Sequence, residues 1–503
     1  MATRLTVFFT SDTHGFIFPT SFTDRETRPV GLLCMAFPKD GNTLVIDGGD
    51  TLQGSPLTYY CHREGLPMPC AAVMNGLRYD YVTLGNHDFN YGYEPIRDYL
   101  TQLDAHCLCA NVSDRAGELP IGRYALRVME NGLRVGLVGL VTPWINRWEK
   151  PENLERFRIG DPMAAAREAV AALRDQADFL IGIYHGGLEK DLDTGRLLSR
   201  TDENIACRLC EELPFDLLLT GHQHIALANG RWHGTHVVQT PCNAAAYVRV
   251  EVDADGAIRS ALCKPEGPAR MEPWQQTLLD SLNGWLDRPI GRLSRALRPE
   301  AKLTMALRGS PIADFFNLVQ LNASGAELSC TSLGNELRGF EQTVTVRDVV
   351  ASYVYANTLA VLAVTGRVLG DALEQCARYF SVDETGAVGI AEPFRKPKEA
   401  HYNYDYFAGV RYTFDLRNPP GRRVTRLERD GRPVADDDRF QLVMNNYRAT
   451  GAGDFDFFAD CPHVREIQTE VSELILDYLA EHGDICIPDG SPYEVILPSG
   501  ERA

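Results

Sequence analysis

The first half of the chain alternates between two hydrophobic rhythms. Short, nearly continuous apolar runs (LTVFFTSD, NTLVIDGGD, YDYVTLGNHD, LRVGLVGLVT, ADFLIGIYHGG and FDLLLTGHQH) each close on Gly and polar residues. Such runs suit strands buried on both faces, where no position needs to be polar. Between them lie stretches such as DPMAAAREAVAALRDQAD, in which Ala, Val and Leu return every three or four residues and Pro162 is placed for a first helical turn. This succession predicts a layered α/β domain over residues 1–265, with polar residues gathered on the rim where its strands end.

After that the rhythm changes. EPWQQTLLDSLNGWLDRPIG has an amphipathic helical period closed by Pro289 and Gly291, and residues 266–299 are read as a helical linker. Over residues 300–503, GSPIADFFNLVQLNASG predicts a helix and ELSCTS a strand. TVRDVVASYVYANTLAVLAVTGRVLGDALEQCARYF predicts a helix, a strand and a helix, while HYNYDYFAGVRYTFDLR and RFQLVMNNYR add aromatic-rich strands. The second domain is therefore smaller and also mixes α and β.

Composition narrows the function classes. A chain of 503 residues exceeds what one hydrophobic core usually serves, so two domains are expected. A formal net charge of −18 argues against a nucleic-acid polymer as partner, because phosphate backbones are bound by clustered Lys and Arg. No run reaches the ~18 consecutive apolar residues that would span a bilayer, so no membrane partner is expected. MATRLTVFFTSDTHG enters a strand without a basic, apolar and small-residue leader, which predicts a cytoplasmic location. Thirteen cysteines, an odd number, fit reduced thiols better than a disulfide framework. Cys207 and Cys210, a lone CxxC in ENIACRLCEEL, are read as buried helix-face thiols.

The chemistry is concentrated at the strand ends: Asp12 and His14 in SDTHG, Asp50 in DGGD, Asn86, His87 and Asp88 in GNHD, His185 in YHGG, and His222 with His224 in GHQH. A single His after a strand is usually a hydrogen-bonded loop residue. Five such segments in one domain, all rich in Asp, Asn and His, predict a metal site. Carboxylate, amide oxygen and imidazole without thiolate suit Mn, Zn, Co, Fe or Mg, and the donors exceed the needs of one ion. Two ions ~3.5 to 4 Å apart need a shared carboxylate, for which Asp50 is the natural candidate.

In order and spacing, DTH, GGD, GNHD, HGG and GHQH resemble the calcineurin-like metallophosphoesterases. With its C-terminal half, the chain resembles the 5'-nucleotidase family, and YNYD followed by NNYRA is similar to its 2',3'-cyclic-nucleotide 2'-phosphodiesterase/3'-nucleotidase branch. The resemblance implies an α/β/β/α catalytic domain with two divalent metal ions, Asp12, His14 and His224 on one, Asn86, His185 and His222 on the other, and Asp50 bridging. It implies that an activated hydroxide attacks phosphorus, while His87, held cationic and oriented by Asp88, stabilises the phosphoryl charge. Many relatives have Gln or Asn where His224 stands.

The same resemblance gives the second domain the task of binding the nucleoside. Tyr404 and Tyr447 would stack the base, an interaction tolerant of base identity. YNYDY also alternates as a half-buried strand, so Tyr402 or Tyr406 could face the ligand instead. Asn445, Asn446 and Asp454 are candidates for base or ribose hydrogen bonds, with Asp454 one position later than in typical 5'-nucleotidases. Those enzymes also carry a glycine-rich stretch ending in Ile-Arg, whereas this chain has SCTSLGNELRGFEQ with Arg338 in another context. The expected substrate is a small nucleotide, favouring 2',3'-cyclic and 3'-nucleotides. The alternatives are a 5'-nucleotidase or UDP-sugar hydrolase and, from a different class, a non-catalytic nucleotide-binding module.

Overall fold

The computed structural model describes residues 3–198, 202–266, 271–335, 337–355, 357–395, 399–487 and 492–503. Residues 267–270 of the expected linker lie outside them. The chain divides into two compact units, one of Met1–Ser21 with Arg25–Asn283, the other of Phe22–Asp24 with Gly284–Ala503.

Two large sheets build the first unit. One has seven strands in the spatial order Ile258–Cys263, Tyr247–Asp253, Thr3–Thr10, Thr43–Asp47, Tyr81–Val82, His106–Leu108 and Ile121–Gly122. The other has six, in the order Leu227–Trp232, Thr235–Gln239, Leu217–Thr220, Phe179–His185, Arg134–Val141 and Tyr124–Val128. Their centres are parallel and antiparallel pairing is kept to the edges.

Alternation along buried strands explains the layering. Leu5, Val7 and Phe9 of the first sheet share one apolar cluster with Phe179, Ile181 and Ile183 of the second. The intervening Leu180 and Tyr184 join a second cluster, with Met163, Ala166 and Val170 of the helix Pro162–Leu173 and Leu209 of Ala206–Glu212. Period-two geometry thus sends successive side chains of one strand into different layers, which is why the strand has no polar face. Pro162 does open its helix, and the Asp161 carboxylate caps it by accepting from the Met163 and Ala164 N–H groups. Cys207 and Cys210 are buried thiols on the helix Ala206–Glu212.

The second unit contains a five-stranded sheet ordered Asp405–Ala408, Leu328–Ser332, Arg439–Asn445, Leu359–Thr365 and His463–Ile467. The helix Pro311–Ser324 is tied to it where Asn317 Nδ2 donates to Tyr406 O and Gln320 Nε2 to Ser329 Oγ. The helices Val346–Ser352 and Gly366–Ala377 flank the strand Leu359–Thr365 as expected. Pro289 and Gly291 do not merely close the helix Pro273–Leu286, because they lie in a strand, Pro289–Leu293, paired with Thr343–Thr345. Among the described residues no helix is long and apolar enough to cross a membrane.

Candidate metal centre

Parallel strands of both sheets deliver their carboxyl ends to one rim. Thr3–Thr10 leads to Asp12 and His14, Thr43–Asp47 to Asp50, and Tyr81–Val82 to Asn86 and His87. From the second sheet, Phe179–His185 ends on His185 and Leu217–Thr220 leads to His222 and His224. Asp12, His14, Asp50, His222 and His224 take positive φ values of 54°, 49°, 57°, 73° and 58°. That backbone costs L-residues about 1–3 kcal/mol each and persists only where surroundings enforce it.

Here the loops enforce one another. Asp12 N–H donates to Gly49 O at 2.9 Å, His14 N–H to Asp50 O at 2.8 Å, and Asn243 N–H to Asp12 O at 2.8 Å. Asp88, fully buried, accepts from the N–H groups of Gly85, Asp50, Thr51 and Leu52. A Cβ on Gly49 would sit 2.3 Å from the Gly85 nitrogen, so only glycine lets these two loops meet.

Side chains from the five loops converge in two overlapping groups. Asp12, His14 and His224 form one: His224 Nε2 lies 3.4 Å from Asp12 Oδ1 and 3.2 Å from His14 Nε2. Asp12, Asp50 and His185 form the other, with His185 Nε2 3.2 Å from Asp50 Oδ2. Asn86 Oδ1 joins this second group, 3.2 Å from His185 Nε2 and 2.8 Å from His222 Nδ1. Asp12 is common to both groups, while Asp50 Oδ1 accepts the His87 N–H at 2.7 Å. The outer nitrogens of His14 and His185 rest on the carbonyls of Gln53 and Gly48, which turns the other nitrogen of each ring inward.

Electrostatics match a cation site. Burial alone would raise the Asp50 carboxyl, yet the attraction of His185 holds it well below the ordinary range. Burial also works against Asp12, but the His224 hydrogen bond and the His185 charge bring it down to about 2. For His185 burial pulls down and Asp50 pulls up, and the net is a rise to about 9. Asp50 Oδ2 is fully buried and faces the His185 ring nitrogen at 3.2 Å without a hydrogen bond of good geometry, which leaves it anionic capacity of the kind a cation satisfies. Carboxylate, amide and imidazole donors at these separations fit a pair of divalent ions.

Two expectations for the catalytic pair need correction. Asp88 does not orient His87, because its carboxylate is consumed by four main-chain N–H groups. The His87 ring meets Asn90 instead, Nδ1 to Nδ2 at 3.2 Å. Nor is His87 held cationic: burial, then opposed by Asp50, pushes it down to about 3. Its ring centroid lies 5.3 Å from that of His14, at the edge of the first group.

In the second unit the fold overturns Tyr404. That ring is only 2% exposed, packed against Tyr379 and Tyr406, with its hydroxyl donating to Ala306 O at 3.2 Å. It has no face left for a base. The 3-10 turn His401–Asn403 interrupts the alternation just before the strand Asp405–Ala408, so Tyr402 escapes the core. Tyr402 meets Tyr447 edge-to-face at 6.4 Å and Tyr355 at 6.2 Å, and Tyr447 is 42% exposed. Asn445 is likewise corrected from ligand contact to buried helix cap, its Oδ1 accepting from Arg448 N–H at 2.7 Å. Asn446 and Asp454 are exposed, Asp454 at φ 68°.

Three residues that sequence reasoning missed organise these sites. Glu203 lies 3.0 Å from His222 Nε2, and the half-buried Trp148 stacks on the same imidazole. Arg448, 1% exposed, grips Asp405 with two nitrogens and donates to the carbonyls of Tyr402 and Ala452, binding the segments that carry Tyr402 and Tyr447. Only Arg448 left a sequence signal, as an Arg beside the NNY motif.

Comparison with known proteins adds independent findings. Residues 5–226 match the family described as calcineurin-like phosphoesterase, and residues 289–460 match the 5'-nucleotidase C-terminal domain. A proposed 5'-nucleotidase from Staphylococcus aureus, solved with alpha-ketoglutarate, is 32% identical over 98% of this chain and 99% of its own, with a TM-score of 0.72. The trifunctional nucleotide phosphoesterase protein YfkN of Bacillus subtilis is 26% identical over 95% of this chain, which spans only 38% of that protein. The 2',3'-cyclic-nucleotide 2'-phosphodiesterase/3'-nucleotidase of Haemophilus influenzae is 24% identical over 94% of this chain and 84% of its own.

Proposed function

Because this chain belongs to the calcineurin-like phosphoesterases that carry a 5'-nucleotidase C-terminal domain, we propose that it hydrolyses phosphate esters of nucleotides with two divalent cations held in its first unit. The observation that carries this reading is the convergence of Asp12, Asp50, Asn86 and four imidazoles in two overlapping groups that share the buried Asp12 carboxylate. Asp12, His14 and His224 would hold one cation and Asn86, His185 and His222 the other; Asp50, whose charge acts on His14 of the first set and on His185 of the second, would be shared, with Asp12 beside both. When bound, such a pair supplies an activated water nucleophile and neutralises charge on the phosphoryl group.

The chain's own residues do the rest. With the Asn90 amide nitrogen at Nδ1, the neutral His87 ring carries its hydrogen on Nε2. That N–H donates to a phosphoryl oxygen or to the departing alkoxide, a role in which charge develops only during reaction. Tyr402 and Tyr447 offer the base an aromatic surface, in place of Tyr404. Tyr355 extends that surface.

For substrate, 2',3'-cyclic and 3'-nucleotides are favoured. The Haemophilus relative supports this, and so does Arg338, whose guanidinium is engaged by Thr23 O at 3.1 Å and lies 3.8 Å from the Asp24 carboxylate. A 5'-nucleotidase activity is the second reading, favoured by the Staphylococcus relative. No disulfide joins the cysteines of the described residues, which fits a reducing compartment such as the cytoplasm. The deciding assay measures phosphate release from 2',3'-cAMP, 3'-AMP and 5'-AMP with Mn, Zn, Mg and Co. Release from 5'-AMP alone would overturn the preference, and tight nucleotide binding without hydrolysis would leave a binding module.

A further inference from the structure

His14 and His185 rest their outer nitrogens on uncharged main-chain carbonyls, at 2.8 and 2.7 Å. His222 differs, because its outer nitrogen Nε2 faces a carboxylate, Glu203 Oε1, at 3.0 Å. We propose that Glu203 is a positioning residue that commits His222 Nδ1 to the second cation of the centre. The proposal rests on the two-cation reading given above.

A carboxylate can only accept, so Glu203 requires a hydrogen on Nε2 and leaves the Nδ1 lone pair turned inward. Inward of Nδ1 stands Asn86 Oδ1, 2.8 Å away, and beyond it His185 Nε2, 3.2 Å from the same oxygen. These three atoms are the donors assigned to the second cation. Trp148 covers one face of the imidazole, with ring centroids 5.4 Å apart and planes inclined by 26°. The ring is therefore held on its edge by the carboxylate and on its face by the indole.

Glu203 is built into the fold. Its main-chain carbonyl accepts from Thr142 Oγ1 at 2.8 Å and Tyr184 Oη at 3.1 Å, where two strands of the second sheet end. On one side Trp144 Nε1 donates to Asp202 Oδ1 at 2.7 Å, and on the other Asn204 Oδ1 accepts from Gly187 N–H at 2.7 Å. An acid serving only as a surface ion pair needs none of this bracing. Glu203 is remote in sequence from the GHQH motif, so nothing in the chain's local pattern reveals the pairing.

The test is a Mn(II) titration of full-length wild type, Glu203→Ala and Glu203→Gln, read by electron paramagnetic resonance, with retained ions counted by mass spectrometry. Wild type should bind two ions. Glu203→Ala should hold one as tightly and the other about 10–100-fold more weakly. Glu203→Gln, whose amide oxygen still accepts from Nε2–H, should recover most of that loss, and melting of the metal-free variants should be unchanged. Should Glu203→Ala fail to fold, Glu203→Asp should weaken the same single ion. Two tight ions in Glu203→Ala would overturn the proposal and leave the metal centre standing. Loss of both ions, or no recovery in Glu203→Gln, would show a general structural role and also overturn it. Wild type without ions would sink the metal reading, and the proposal with it.

Discussion

An imidazole offers a cation either of two nitrogens, and what touches one decides the use of the other. Four such rings meet here, and in the metal-free protein one of them, His185, is drawn up to about 9 by Asp50 against the opposing effect of burial. A histidine raised in this way contributes stability that is complete below about 6.5, the unfolded value, and fades as pH climbs through 9. A cation entering the second group must displace that proton. Divalent binding is therefore expected to release protons and to tighten as pH rises across this window. Calorimetry in two buffers of different ionisation enthalpy measures the proton count, and a count of zero between pH 6.5 and 9 would contradict the His185–Asp50 pair. His87 poses a separate question, since it borders the groups without being assigned to either. His87→Ala should lose ~100-fold or more in kcat while its metal content stays at the wild-type level. A parallel fall in bound metal would instead make His87 a ligand.

At the level of elements, strand ends and turns decide which side chains are free to act. Tyr404, where the chain enters the strand Asp405–Ala408, is buried together with Tyr406 of that strand, whereas the 3-10 turn before it sets Tyr402 apart. The two tyrosines should thus respond differently to truncation. Tyr404→Ala should cost about 3 kcal/mol of stability, because it opens a cavity and orphans the hydroxyl's partners. Tyr402→Ala and Tyr447→Ala should leave stability nearly unchanged and raise KM for nucleotides, consistent with ~1 to 3 kcal/mol per stacked base. Denaturant titration and steady-state kinetics on the three variants separate these outcomes. Equal KM effects from Tyr402→Ala and Tyr404→Ala, with no loss of stability in the latter, would restore Tyr404 as a contact.

Across the whole molecule, the work is divided between units with cores of their own. The candidate ligands all belong to the first unit, and Tyr402 and Tyr447 to the second. A ligand stabilises the structure it binds by about 2.7 kcal/mol at a hundredfold excess over Kd. Scanning calorimetry should accordingly resolve two transitions, one moved upward by Mn(II) alone and the other by adenosine alone. A single transition shifted equally by both would mean that the units unfold as one and that this division is wrong.

The layered first domain was legible because strands buried on both faces must be apolar throughout, and because polar residues repeated at five strand ends have few other uses. The helix, strand and helix around Leu359–Thr365 were legible for a similar reason, since local periodicity and helix starts are written in neighbouring residues. Hydrogen-bond partners were not. Asp88 adjoins His87 in sequence yet serves the loop of Asp50, and Glu203 reaches His222 across 19 positions. Tyr404 and Tyr402 share an aromatic motif, but Tyr402 lies within a 3-10 turn and Tyr404 at its end. The sequence by itself determined which chemistry the rim could gather, because residue type and period are local properties. Only the tertiary structure decided which atom faces which, because burial and pairing are settled by segments far apart along the chain.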